Sequence, residues 1–140
     1  MSTRSITHIH EMKSMEFVNE RIVCSFYRHC DGYPTGHGDD LAKWLKGKSL
    51  VNGISNGFDP HTMFNRAGTM SVKLMNHIQD ISGCEVIPTG TSGRGEEFTY
   101  NLYFRDDKFY IEVDDGGQSV LKEVNNFVGE KVWEFLRDDE

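Results

Sequence analysis

The densest chemistry in this 140-residue chain lies in one run, Tyr27-Arg28-His29-Cys30-Asp31-Gly32-Tyr33-Pro34-Thr35-Gly36-His37-Gly38. A guanidinium, two imidazoles, a thiol and a carboxylate enter a glycine-rich loop. Backbone N–H groups at the helix start expected after it favour an anion, and Arg28 supplies a countercharge. Arg28, His29, Asp31, Tyr33 and His37, joined by Arg94 from a second glycine-rich loop, are therefore candidate ligands for a small anionic group such as that of a nucleotide. His29 or His37 would be the general base if such a ligand were turned over, because imidazole titrates near neutral pH. The competing reading is a tight strand-to-helix connection whose glycines serve the turn alone.

Other patterns carry less. His29, Cys30, Asp31 and His37 are all zinc-competent, yet no CxxC, HxxxH or HExxH spacing occurs, so neither metal nor cofactor is expected. Gly53-Ile54-Ser55-Asn56-Gly57 matches the nucleophile-elbow pattern, which needs a strand-to-helix turn and a later His and acid. The chain is short for the sheet such enzymes use. Gly90-Thr91-Ser92-Gly93-Arg94-Gly95 lacks the Lys-Ser/Thr ending of a phosphate loop and leads toward a strand. The paired acids, such as Asp39/Asp40 and Asp106/Asp107, are adjacent residues whose side chains diverge, so none is a catalytic dyad.

The elements that must hold these residues follow from periodicity. Ile6–Met12 and Arg21–Tyr27 read as strands that pair, with a turn at Ser14–Glu20 and Phe17 tucked inward. Asp39 or Gly38 starts a short helix with a Leu41, Ala42, Trp44 and Leu45 stripe, ended by Gly47. Residues 48–60 read as a loop with a small buried turn at Leu50, Val51 and Ile54. The spacing of Met63, Ala67, Met70, Leu74 and Ile81 predicts a long helix over His61–Ser82, capped by Asp59 with Pro60 suited to the first helical position, and with Gly68 a weak point inside it. Glu85–Ile87 is a short strand. Phe98, Tyr100, Leu102 and Phe104, then Phe109, Ile111 and Val113, form a hairpin with one apolar and one aromatic-polar face. The remainder reads as a closing helix and a short acidic tail, Asp138–Glu140. The expected architecture is α+β in a single domain over residues 1–140. It has a mainly antiparallel sheet packed against the long central helix, plus a short helix and a C-terminal helix.

Charge is unevenly spread. The chain carries 22 Asp and Glu against 15 Lys and Arg, a net of −7. Residues 1–95 hold 10 basic and 9 acidic side chains, whereas residues 96–140 hold 5 and 13. Such acidity disfavours broad binding to nucleic acid. No run approaches the ~20 apolar residues of a membrane span, and the first residues lack an apolar signal region. The sparse cysteines, Cys24, Cys30 and Cys84, fit free thiols in a reducing cytoplasm.

The pattern Tyr27-Arg28-His29-x-Asp31-Gly32-Tyr33-Pro34-x-Gly36-His37-Gly38-x-x-Leu41 resembles the signature of a family of small proteins encoded by tailed phages, T4-like phages among them. The resemblance continues through Val51-Asn52-Gly53-Ile54, Phe64-Asn65-x-x-Gly68 and Gly95-Glu96-Glu97-Phe98-Thr99-Tyr100. It implies a phage accessory protein working in the host cytoplasm and a close-packing role for Gly68, and it supplies no mechanism. The leading expectation is then a non-enzymatic binder of a host protein, with Tyr103, Tyr110, Asp106 and Asp107 as its contact surface. The alternative is a sequestering protein or hydrolase for a small anionic ligand at the Arg28-His29…His37 loop.

Overall fold

The first strand, β1 (Ser5–His10), divides its side chains between two faces, and that division organises the molecule. It pairs antiparallel with β2 (Ile22–Arg28), placing Thr7 opposite Phe26 and Ser5 opposite Arg28. The computed structural model describes residues 3–11 and 21–137. The turn expected at Ser14–Glu20 and the acidic tail lie outside the described residues.

After β2 a wide single turn, Pro34–Gly38, leads directly into α1 (Asp39–Leu45). Two short strands, β3 (Ser49–Val51) and β4 (Met63–Asn65), form a separate parallel pair. Then come α2 (Arg66–Ile78) and β5 (Cys84–Ile87), which pairs antiparallel with β2. β6 (Phe98–Arg105) runs parallel to β1 and alternates buried with half-exposed side chains along its length. Asp106 and Asp107 both take positive φ, 50° and 62°, the backbone that a two-residue hairpin turn needs to match strand twist. β7 (Lys108–Asp114) returns from that turn with Tyr110 opposite Tyr103, and β8 (Ser119–Glu123) adds the last antiparallel edge. The six-stranded sheet therefore runs β5-β2-β1-β6-β7-β8, mostly antiparallel with one parallel step. A 3₁₀ turn, Val124–Asn126, and α3 (Gly129–Arg137) close the described chain.

The three helices among the described residues cover the same face. Leu41 and Leu45, then Met70 and Leu74, then Val132 and Leu136, join Phe26, Tyr100, Leu102 and Ile111 in one buried cluster. Thr99, Asn101, Tyr103, Glu112 and Tyr110, on the opposite face, remain half-exposed. The α+β class thus matches the expectation, but the long central helix does not.

The predicted 61–82 helix is the 13-residue α2. Asp59 accepts bonds from the His61 backbone N–H and the Thr62 hydroxyl, closing a turn where the first helical turn was expected. Residues 63–65 then pair as β4, which buries Phe64. The start of α2 is capped instead by Glu11, which accepts from the Ala67 N–H at 3.2 Å. Asp39 does not cap α1; its carboxylate accepts from the Gly129 N–H and starts α3. The closing helix is preceded by β8, whose mostly exposed side chains hide the two-residue period of a strand. A Cβ added at Gly68 would meet nothing within 4 Å, so close packing is not the role of this glycine.

Candidate functional site

Arg28 and His37 do converge. Arg28, the last residue of β2, points to the helix-covered face, and the 34–38 turn carries His37 beneath it. Arg28 Nη1 donates to His37 Nδ1 at 3.2 Å. A guanidinium only donates, so Nδ1 holds the lone pair and the proton sits on Nε2. Nε2–H then donates to Thr7 Oγ1 at 2.8 Å. The ring meets Phe26 and Tyr100 edge-on, with centroids 5.6 and 5.0 Å away. His37 is wholly buried, and burial together with the Arg28 charge lowers its pKa to about 3.

The same cluster fixes the loop. Arg28 Nε donates to the Cys30 carbonyl at 2.7 Å, and the buried Tyr100 hydroxyl donates to the Gly32 carbonyl at 2.6 Å. Burial raises the Tyr100 pKa far above the normal phenol range. The glycines serve close approach: a Cβ on Gly36 would lie 2.5 Å from the Asp31 carbonyl oxygen. A Cβ on Gly129 would lie 2.2 Å from that of Pro34, which explains a glycine at the start of α3. With both nitrogens engaged and no solvent access, His37 is neutral at pH 7 and holds the loop rather than a transferable proton.

The other candidate ligands lie elsewhere. His29 is exposed and shares a 3.1 Å hydrogen bond with the Tyr27 hydroxyl. Asp31, at φ 59°, accepts from the Tyr33 hydroxyl at 3.1 Å, and the Tyr33 ring stacks on Trp133. Arg94 lies across the opposite face of the sheet, 4.6 Å above the Tyr27 ring and 2.6 Å from Glu85. Arg28, His37 and Arg94 therefore share no pocket. Ser55 sits in an exposed loop that leads to a turn and β4, not to a helix, so it forms no nucleophile elbow. Among the described residues no group of three His, Cys, Asp or Glu comes together to hold a metal, and all three cysteines are free.

The helix-free face holds a second polar system. His10 Nε2–H donates to Asn101 Oδ1 at 2.8 Å, and Asn101 Nδ2 donates to Glu112 Oε1 at 3.0 Å. The His10 ring stacks 4.4 Å from Tyr103, and the Arg105 guanidinium lies 4.3 Å from the centre of the same tyrosine ring. His8, one pleat away, bonds Ser25 Oγ through Nδ1 at 2.7 Å, and Ser25 Oγ accepts the Gly90 N–H. The 88–97 loop thus lies over the β5–β2–β1 end, where Ile6, His8 and Ile87 are buried. Burial lowers the His8 pKa, helped by His10 and opposed by Glu96.

The β6–β8 end of that face is different. The Tyr103–Tyr110 pair is flanked by Glu112 and Glu123, and by Leu121, which is 44% exposed. Asp106 and Asp107 project from the exposed tip beside it. The two tyrosines and the tip aspartates stand out in the sequence, whereas Asn101 and Glu112 do not. Their positions two residues from Tyr103 and Tyr110 on alternating strands are the available signal. No described helix is long and apolar enough to cross a membrane. Comparisons with protein-family models, curated proteins and solved structures find no match to this chain.

Proposed function

We propose that this chain is a non-enzymatic binding protein that presents the outer face of β6, β7 and β8 to a partner protein with a basic surface. As a phage accessory protein, its partner would be a protein of the host. The observation that carries this reading is the Tyr103–Tyr110 cross-strand pair, half-exposed on the helix-free face and flanked by Glu112, Leu121 and Glu123. Aromatic rings supply large contact area at small entropic cost, and the surrounding carboxylates favour Lys and Arg on the partner. The regional charge supports it as well: 13 acidic side chains stand against 5 basic ones after residue 95. The Arg28–His37 loop gives little support to an enzyme, because its imidazole is buried and both ring nitrogens are bonded.

The test is a photo-cross-linking amino acid placed at position 110, with position 61, exposed in the turn before β4, as control. A single host protein joined at 110 and not at 61, then bound by the purified chain with an affinity that falls as salt rises, is the expected result. Equal labelling at both positions, or binding that salt does not weaken, overturns it.

A further inference from the structure

We propose that Arg28 is one half of an anion site, in which its unused guanidinium edge and the Ser5 hydroxyl receive a single oxyanion group, phosphate or carboxylate. This site is independent of the β6–β8 surface.

A guanidinium carries five N–H donors. Arg28 commits Nε–H to the Cys30 carbonyl and one Nη1–H to His37, which leaves three. The side chain is only 8% exposed, and among the described residues no carboxylate lies within ion-pair distance of it. The nearby acids are turned to other donors. Asp31 takes the Tyr33 hydroxyl, Asp39 takes the Gly129 N–H, and Asp40 takes His77. A buried charge without its counter-ion is costly, and a fold retains it at that cost when an anion offsets it.

The second observation is Ser5. It stands directly opposite Arg28 in the β1–β2 register and on the same face. Its side chain is fully buried, and Oγ has no hydrogen-bond partner. That hydroxyl and the free guanidinium edge are thus two uncommitted donors on facing positions. Ser5 Oγ and His10 Nδ1 are the buried orphaned atoms among the described residues, and Arg28 retains a small exposed part, 8% of its surface. His37 and the Cys30 carbonyl hold the guanidinium plane in place, so a planar or tetrahedral oxyanion meets a fixed fork. Cys84, opposite Arg28 on β5, reports on the same charge: burial pushes its thiol pKa up while the guanidinium pulls it down.

Thermal unfolding at constant ionic strength tests this, with inorganic phosphate, acetate and chloride as probes. Phosphate, acetate or both should raise the melting temperature saturably, by about 4–6 °C at ten times the dissociation constant, while chloride does not. A response to phosphate alone assigns a phosphoryl ligand, and a response to both assigns oxyanions generally. Ser5→Ala, which removes only a buried hydroxyl, should weaken binding at least threefold and serves where Arg28→Lys fails to fold. In a Cys30→Ser, Cys24→Ser background, saturating anion should also slow iodoacetamide alkylation of Cys84, because the anion cancels the pull on its thiolate. A non-saturating shift equal to that of chloride overturns the proposal. So does saturable binding that Ser5→Ala and Cys84 alkylation do not register.

Discussion

His37 and His10 are the same residue type on opposite faces of one sheet, and their surroundings assign them different work. His37 is sealed under the helices with one nitrogen on Arg28 and the other on Thr7. Its loss would leave one N–H of a buried guanidinium and a buried hydroxyl without the partner His37 supplies. His10 is half-exposed, bonded through one nitrogen to an Asn101 that Glu112 orients, and stacked on Tyr103. Burial and the count of bonds already made, not the residue type, separate a structural imidazole from one on a surface. Within the motif that looks most chemical in sequence, His37 is committed to holding a loop, while the proposed contact surface lies on the open face.

Breaking the buried side has the largest expected effect. His37→Ala should destabilise by about 3 kcal/mol or more, combining a cavity with two orphaned buried groups, measured as the urea midpoint. The same group makes stability depend on pH. Its folded pKa of about 3 lies below the ordinary 6.5, so the unfolded chain binds the extra proton between those values. Stability from His37 is therefore complete above the unfolded value and falls by about 1.4 kcal/mol per pH unit as the pH drops toward the folded one. Urea midpoints measured from neutral pH down to about two units below the ordinary histidine value check this, and His37→Gln should flatten the dependence.

The outer face should respond more weakly. Arg94→Ala removes a part-exposed pair with Glu85 and the contact with Tyr27, for about 0.5–1 kcal/mol. The change should show as faster amide exchange confined to the 88–97 loop, and equal acceleration across α2 would contradict it. Gly68→Ala should stabilise by about 0.5–1 kcal/mol, since the position is helical, exposed and free of neighbours.

Much of this is legible in the sequence where burial on one face imposes a period. The β6–β7 hairpin, its two-residue turn, the β1–β2 pair and α1 follow from alternation and turn residues. Residues 61–65 read as helix in the sequence because Met63 and Phe64 suit a buried helix as well as a buried strand, and Asp59 caps either. β8 escapes because an edge strand exposes Leu121 and Lys122 alike, which erases its period. The site is legible by membership but not by role. Arg28 and His37 do meet, yet no spacing in sequence tells whether two such residues meet in solvent or under α1. That depends on Thr7 and Tyr100, which come from distant strands.

The central claim, that the open β6–β8 face is the contact surface and the Arg28–His37 loop its support, is tested most directly by one paired measurement on Tyr110→Ala/Glu112→Gln. Its affinity for the partner joined at position 110 and its urea midpoint are compared with those of the unaltered protein. Affinity at least tenfold weaker with stability moved by less than about 1 kcal/mol is the predicted result. Unchanged affinity, or a loss of binding that merely tracks unfolding, would contradict it.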